Sequence, residues 1–234
     1  MIFSRYKNYY FFLILTLFIF SGCSLEKKYS ELDIDSLLEK RYDKLLKYRV
    51  DSLSFPRSYS RQENASKLVP SKDWTSGFFA GNLWYLYTLT GNQAYIDKAQ
   101  AWTSFIEKEK FNDKTHDMGF KIYNSFGNGL KIKDNKRYKN IIVKSAKTLS
   151  TRFNENIKSI RSWDFNKKVW QFPVIIDNMM NLELLFEATK LTNDSTYHNL
   201  AVTHANTTLK HHFRPDNSCY HVIDYDTLTY QPRM

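Results

Sequence analysis

Three amphipathic helices, each opening on a tyrosine directly after a polar turn, form the clearest pattern of hydrophobic and polar positions in the chain. The turns occupy residues 90–95, 133–138 and 192–197, and the tyrosines are Tyr95, Tyr138 and Tyr197. Apolar residues recur every three or four positions after each tyrosine, which predicts one buried face per helix. A more apolar helix precedes each of them, so the pattern indicates repeated helical hairpins with an inner and an outer helix.

The front ends of the three inner helices carry residues in equivalent positions. Trp74, Asp117 and Asp177 lie 20 or 21 residues before the three tyrosines. If the hairpins stand side by side, these residues gather at one end of the array, which we call the mouth. Helix N-termini at such an end have unsatisfied N–H groups that favour anions. The spacing therefore predicts a functional site at the mouth.

Asp177 lies near the start of the most apolar inner helix, residues 173–189. Asp177 and Asn181 are four residues apart, so they share a helix face. An apolar environment raises the proton affinity of a carboxylate, which suits a general acid. Taken alone, the stretch favours a helix N-cap, whose side chain accepts backbone N–H bonds. The equivalence of the three mouth positions favours the site.

Aromatic and polar side chains near the mouth are suited to sugar chemistry. Trp74, at a helix entrance, fits stacking on a pyranose ring and core packing equally well. Trp84, three turns further along the same helix, is predicted to pack in the core. His116 directly precedes Asp117, and is either a binding residue or a capping neighbour of Asp117.

Charge and potential metal ligands exclude two classes of function. The net charge is +10, but the lysines are spread over many helices and no nucleic-acid motif is present, so no nucleic-acid partner is predicted. His204, His211 and His212 lie on an outer helix without a set of acidic or cysteine partners. We predict that these histidines are surface residues, and that the protein needs no metal or cofactor.

Residues 1–23 read as a targeting segment. A short basic region precedes an apolar run over residues 11–20, which is too short for an ordinary membrane span of about 20 residues. The run ends in FSGC, a sequence resembling a lipoprotein box with Cys23 as the lipidated residue; a plain cleaved signal or a short membrane anchor is the alternative. Residues 24–30 are predicted to be a tether. The prediction is a bacterial protein of the periplasm or cell surface, held at the membrane only by a lipid anchor.

The remaining chain, residues 31–234, is expected to form one globular domain. Its composition supports this expectation, because 42% of the chain is hydrophobic and 16% is aromatic. Residues 31–53 are predicted to be an amphipathic helix. Residues 55–71 contain two prolines among polar residues and are predicted to be irregular.

Three motifs in order, VPSKDWTSGFFAGNLWYLY, THDMGF and VIIDNMMNLELL, resemble the unsaturated glucuronyl hydrolases of glycoside hydrolase family 88. The resemblance covers residues from about 55 to 231. It implies an all-α fold, the (α/α)6 toroid of six helical hairpins. The chain contains three complete hairpins and a lead-in helix, about half of such a toroid, and its last residues, 232–234, depart from the family. Low or absent activity is therefore expected of this chain alone.

The resemblance also implies roles for particular residues. Asp177 matches the catalytic acid/base, and Asp117 matches a second essential aspartate. Trp74, His116 and His221 match positions that contact the substrate. Asn181, on the same helix face as Asp177, completes the predicted substrate-binding set.

The implied reaction is hydration of a 4,5-unsaturated uronic acid at the non-reducing end of an oligosaccharide made by a polysaccharide lyase. Asp177 would protonate C4, and water would add at C5. This differs from the usual attack at the anomeric carbon with two carboxylates. Three alternatives stay open: an unsaturated rhamnogalacturonyl hydrolase, a non-catalytic carbohydrate-binding remnant, and a helical-repeat scaffold that binds a protein.

Overall fold

The computed structural model describes residues 34–49 and 51–233. The predicted targeting segment and tether lie outside these residues. The chain divides into two compact units, Met1–Arg41 and Tyr42–Met234. Helix α1 (Ile34–Leu46) begins in the first unit, and all the elements that follow it belong to the second. Among the described residues, no helix is long and apolar enough to cross a membrane.

Three helical hairpins form the second unit, as the sequence predicts. The first pairs α2 (Ser76–Thr90) with α3 (Gln93–Ile106). The second pairs a π-helix (Gly119–Gly127) and its continuation α4 (Asn128–Ile132) with α5 (Lys136–Ser150). The third pairs α6 (Asn178–Asn181) and α7 (Glu183–Thr192) with α8 (Ser195–His212). A short 3-10 segment, Glu107–Phe111, follows α3.

The polar turns set where the outer helices begin. Side chains of Asn92, Asn135 and Asp194 accept hydrogen bonds from backbone N–H groups at 3.0, 3.2 and 2.9 Å. Such caps satisfy donors that the first helical turn leaves without partners. Each tyrosine of the pattern therefore lies two or three residues inside its helix, with the apolar face turned inward.

Glycines let the inner helices touch backbone to backbone. A Cβ atom on Gly77 of α2 would lie 2.2 Å from the carbonyl oxygen of Phe120 in the π-helix. A Cβ atom on Gly119 would lie 2.6 Å from Cα of Asn181, at the end of α6. Only glycine permits this approach. The contacts fix the N-terminal ends of the three inner helices beside one another, which forms the mouth.

The second inner helix differs from the predicted α-helix because its first nine residues, Gly119–Gly127, form a π-helix. The ring of Tyr123 occupies the space beside Gly127, where a Cβ atom would lie only 2.5 Å from its Cδ2 atom. π-Helical segments are rare and frequently lie at functional sites. Here the π-helix begins two residues after Asp117.

The prediction that residues 55–71 are irregular is wrong. Strands β1 (Phe55–Ser60) and β2 (Ala65–Val69) pair as an antiparallel hairpin, with a register shift between Pro56 and Ser58. Proline is tolerated in an edge strand or at such a bulge, because no ladder hydrogen bond is lost there. Phe55 packs under the hairpin on Trp102, with ring centroids 5.3 Å apart.

Two further small sheets support the third hairpin. Strands β3 (Phe153–Asn154) and β4 (Ser159–Ile160) pair with each other. Strands β5 (Pro173–Ile175), β6 (Val222–Tyr225) and β7 (Pro232–Arg233) form an antiparallel sheet in the order β5, β6, β7. A cluster of buried apolar residues stabilises this sheet: Ile157, Phe172, Val174, Ile223 and Tyr225.

Candidate active site

Two aspartates of the mouth meet at one histidine. Asp117 lies two residues before the π-helix, and Asp177 connects β5 to α6. The Nε2 atom of His116 is 3.1 Å from Oδ1 of Asp117 and 3.7 Å from Oδ1 of Asp177. The structure therefore brings together the three polar residues that the sequence pattern places at the mouth.

Asp177 is in the N-cap position of α6, but it does not act as a side-chain cap. Within the described part of the chain, its carboxylate makes no capping hydrogen bond. The side chain is 37% exposed. Burial raises the pKa of Asp177, and the negative charge of Asp117 raises it further, whereas His116 and His221 oppose the rise. This environment favours the protonated form that a general acid requires.

Asp117 has the opposite shift. Burial alone would raise its pKa, but hydrogen bonds from His116 and Thr115 and the positive charge of Lys121 outweigh burial and lower the pKa. The hydroxyl of Thr115 donates to Oδ2, which leaves Oδ1 for His116. Two neighbouring carboxyl groups with pKa values pushed in opposite directions are suited to separate roles, one as acid and one as anion.

His221 is placed beside this pair by strand pairing. The backbone carbonyl of His221 accepts a hydrogen bond from Ile176 N at 2.9 Å, one residue beyond the β5–β6 ladder. The His221 side chain is exposed, and its charge reaches Asp177. Its sequence position alone indicated only a loop.

Trp74 packs on Phe120 near the start of the π-helix and is 42% exposed. Its ring centroid lies 5.6 Å from that of Phe120, and the guanidinium of Arg57 lies 5.6 Å from the Trp74 ring. The Trp74 ring thus packs on Phe120, while part of its surface is exposed to solvent. Trp84 is buried, and its Nε1–H donates to Thr103 Oγ1 at 3.0 Å, which confirms the core prediction.

The sequence profile of Glycosyl Hydrolase Family 88 matches residues 53–230. The chain belongs to this family. An unsaturated glucuronyl hydrolase of Formosa agariphila is 57% identical over 95% of this chain and 58% of the relative. An unsaturated chondroitin disaccharide hydrolase of Streptococcus pyogenes is 29% identical over 73% of this chain and 44% of the relative.

The structural comparison agrees with the sequence comparison. A crystal structure of an unsaturated glucuronyl hydrolase specific for heparin has a TM-score of 0.80 and 40% sequence identity. The match covers 86% of this chain and 53% of that chain. The hairpins are therefore part of an (α/α)6 toroid, as predicted. This family 88 chain spans about half the length of the relatives it matches.

Asn181 faces the protein interior of the family 88 chain. It is fully buried, and its Oδ1 accepts a hydrogen bond from Phe120 N at 2.9 Å. Its backbone packs on Gly119, so the contacts observed tie α6 to the π-helix. The predicted contact of Asn181 with substrate stays a prediction.

The prediction that three histidines of α8 lie on the surface is wrong. His204 and His212 are fully buried, and His211 is half-buried. The cause is the packing of α8 on β4 and β6, which provides a polar partner for each ring: Ile160 N for His204, Tyr225 OH for His211 and Tyr220 O for His212. Over residues 34–49 and 51–233, no group of three His, Cys, Asp or Glu residues could hold a metal ion.

A buried ion pair behind Asp117 was not predicted from the sequence. Lys121, four residues after Asp117, is fully buried, and its Nζ lies 3.4 Å from Oε2 of Glu109. Glu109 is itself buried and accepts hydrogen bonds from Ser71 and Asn112 at 2.6 and 2.7 Å. In the sequence, the feature that could have indicated this ion pair is a lysine with apolar neighbours on both sides inside an inner helix.

Replacing Asp117 by asparagine is expected to lower the pKa of Asp177. The negative charge of Asp117 raises that pKa, and the Asp117→Asn substitution removes the charge while keeping an acceptor for His116. The pH at which Asp177 loses its proton should therefore move downward. A carbon-13 titration of the Asp177 carboxyl in the parent and variant chains measures the shift. An unchanged or higher pKa in the variant would show that the charge of Asp117 does not raise the proton affinity of Asp177.

Proposed function

We propose that the protein removes the 4,5-unsaturated uronic acid from the non-reducing end of glycosaminoglycan-type oligosaccharides by hydrating the double bond. One observation carries the proposal: Asp117 and Asp177 share Nε2 of His116, and their pKa values are shifted in opposite directions. The chain spans about half of its relatives, so this activity is assigned to the complete family fold and not to the described half alone.

The proton of Asp177 is the first reagent in the proposed reaction. Asp177 donates it to C4 of the vinyl ether, and positive charge develops on C5 and the ring oxygen. The resulting carboxylate then takes a proton from a water molecule as its oxygen bonds to C5. The hydrated ring is a hemiketal, which opens and releases the remaining sugar. Asp177 ends the cycle protonated, so protons balance.

Asp117 supplies charge and position in this scheme. As an anion it binds sugar hydroxyls and keeps the proton on Asp177 before the reaction. His116 lies between the two carboxyl groups, with its Nε2 atom 3.1 Å from Asp117 and 3.7 Å from Asp177. Trp74 offers an open aromatic surface for a pyranose ring, and His221 borders Asp177 from β6.

The substrate class rests on the relatives. The Formosa agariphila relative is an unsaturated glucuronyl hydrolase, and the structural match is specific for heparin. The Streptococcus pyogenes relative acts on unsaturated chondroitin disaccharide. Unsaturated disaccharides derived from heparin and from chondroitin are therefore the two substrates to compare.

Asp177→Asn is expected to lower turnover by at least about a hundredfold, because the general acid is lost. The assay follows the ultraviolet absorbance of the conjugated double bond. It uses this chain and a chimera in which the chain replaces the matching segment of the Formosa agariphila relative, so that the whole fold is present. The matched control is Asp194→Asn, at the N-cap of α8, where asparagine caps as well as aspartate.

A folded chimera that consumes neither disaccharide would contradict the proposed activity. Turnover of pectin-derived unsaturated substrates alone would assign the rhamnogalacturonyl class in its place. Binding of the disaccharide without loss of absorbance would leave a carbohydrate-binding protein. Full activity of Asp177→Asn would remove Asp177 from the acid role while leaving the reaction class intact.

A further inference from the structure

A cleft with excess positive charge lies on the outer surface, between the 3-10 segment Glu107–Phe111 and helix α5. Its volume is 580 Å³. The charged side chains that line it are four cations and one carboxylate: Lys110, Lys136, Arg137, Lys144 and Glu107. We call it the cationic cleft. The second hairpin of a toroid packs against the first and the third, which are both described, so completing the toroid leaves this cleft on the outer surface.

The carboxylate of the cationic cleft does not balance its charge. Glu107 accepts a hydrogen bond from Lys110 at 2.6 Å and also pairs with Arg137. These hydrogen bonds lower the pKa of Glu107, so it is ionised and already occupied by two cations. Lys136 and Lys144 form no ion pair with any residue that the structure describes. Cations crowded together without counter-charges repel each other and are unfavourable for folding.

The ring of Phe111 draws two of these cations together. Phe111 is 59% exposed, and the Nζ atoms of Lys110 and Lys144 lie 5.2 and 5.1 Å from its centroid. An ammonium group within about 6 Å of an aromatic ring is attracted to the negative face of the ring. The two lysines come from different elements, and in water their like charges would favour separation. The exposed ring therefore concentrates positive charge at one place.

The wall that carries Lys110 is held at two points. The hydroxyl of Thr148 on α5 donates to the backbone carbonyl of Lys110 at 2.7 Å. Beneath the cleft, buried Glu109 accepts from Asn112 at 2.7 Å and lies 3.4 Å from the Nζ atom of Lys121. The 3-10 segment is thereby fixed to both the outer and the inner helix of the second hairpin. Binding at the cleft would require little ordering of the backbone, which favours affinity.

Positive charge continues along α5 beyond the cleft. Arg137, Lys144 and Lys147 are exposed and follow one another at intervals of seven and three residues, so they share a helix face. At 1.5 Å per residue this row is about 15 Å long. A single phosphate or sulfate ion would contact only part of the row. A chain with repeated anionic groups fits its whole length.

We propose that the cationic cleft binds a polyanionic glycan chain, with sulfate or carboxylate groups of the glycan paired to Lys136, Arg137 and Lys144. The choice of a glycan rests on the proposed function, in which the substrate is a fragment of such a polymer. A polymer held on the outer surface keeps its fragments at a high local concentration near the mouth. The cleft is thus a second carbohydrate site, distinct from the one that contains Asp117 and Asp177.

Binding of polymeric heparin and chondroitin sulfate to the full chain, measured by calorimetry at several salt concentrations, tests the proposal. The cleft variant is Lys136→Gln/Arg137→Gln/Lys144→Gln. We expect it to bind either polymer at least about tenfold more weakly at low salt, and the slope of log affinity against log salt to fall by about two to three, because three ion contacts are lost.

The matched control is Lys67→Gln/Lys190→Gln/Lys210→Gln, which removes the same charge from exposed lysines on β2, α7 and α8. We expect it to lose less than about threefold in affinity, because charges more than a Debye length from the bound chain are screened. Equal losses in the two variants would overturn the proposal, since net charge and not the cleft would then cause binding. A cleft variant that binds as tightly as the parent would overturn it directly.

Other ligands decide whether the partner is a glycan. Single-stranded DNA and phosphatidylserine vesicles are titrated in parallel with the polymers. Binding of either through the same three side chains, without binding of the glycans, would overturn the proposal and assign a nucleic acid or a membrane surface instead. The unsaturated disaccharides should bind the parent and the cleft variant equally, because the mouth is unchanged.

This inference and the proposed function can fail separately. Polymer binding requires no turnover, so binding through the cleft together with a folded but inactive chimera would refute only the hydrolase activity. A chimera that hydrolyses the disaccharides while the cleft variant still binds polymer like the parent would refute only the cleft. The cleft variant of an active chimera is expected to retain its turnover of disaccharide, since none of its three substitutions lies at the mouth.

Discussion

Gly77→Ala is expected to lower the free energy of unfolding by more than about 3 kcal/mol, because the added methyl group has no space. Its carbon would lie 2.2 Å from the carbonyl oxygen of Phe120 and 2.4 Å from that of Lys121. Both obstacles are backbone atoms, which cannot rotate away as a side chain would. Urea unfolding followed by circular dichroism measures the loss.

Gly91→Ala is the matched control for this prediction. Gly91 ends α2 with φ +71° and has nothing within 4 Å of the added carbon. Its substitution carries only the cost of a left-handed backbone, about 1–2 kcal/mol. Equal losses at the two positions would show that the inner helices separate freely. In that case the carboxyl pair of the mouth would not be held by helix contact.

Gly77→Ala should also disturb the mouth before the fold is lost. The added methyl group would clash with Phe120, which is hydrogen-bonded to Asn181 and packs on Trp74. A displaced π-helix start would move Asp117 relative to Asp177. The pKa values of Asp117 and Asp177 are therefore expected to differ less in a partly destabilised Gly77→Ala chain than in the parent.

Hairpin boundaries could be predicted because their causes are local. Asn92, Asn135 and Asp194 cap their helices with their own side chains, so the polar turns are visible without tertiary structure. The nearly equal spacing of Trp74, Asp117 and Asp177 from the tyrosines then located the mouth. The contact of Asp117 and Asp177 with one histidine follows from that geometry.

Features with non-local causes were not predictable in this way. The strand Phe55–Ser60 depends on pairing with Ala65–Val69 around a bulge, and its proline, Pro56, argued against any regular element. His204 is polar, so the apolar pattern of its helix does not include it. Its burial depends on Ile160, 44 residues away, which provides the N–H that the ring accepts. A sequence window cannot show that partner.

Lys121→Met is expected to destabilise the chain by about 3–5 kcal/mol, the range for removing one member of a buried ion pair. Glu109, 6% exposed, would keep its hydrogen bonds from Ser71 and Asn112 but lose its cation. Burial lowers the pKa of Lys121, while Glu109 and Asp117 favour its charged form. Chemical unfolding measures the effect, and a loss below about 1 kcal/mol would show that Glu109 is stable without the lysine.

The double variant Lys121→Met/Glu109→Gln distinguishes the effect of the Lys121 charge on stability from its effect on the pKa of Asp117. A neutral glutamine can still accept from Ser71, so most of the lost stability should return. The pKa of Asp117, which the charge of Lys121 lowers, should nevertheless stay raised, since the cation is absent from both variants. Recovery of stability with a persistent shift at Asp117 would mean that Lys121 keeps Asp117 ionised and thereby leaves Asp177 as the carboxyl group that holds the proton.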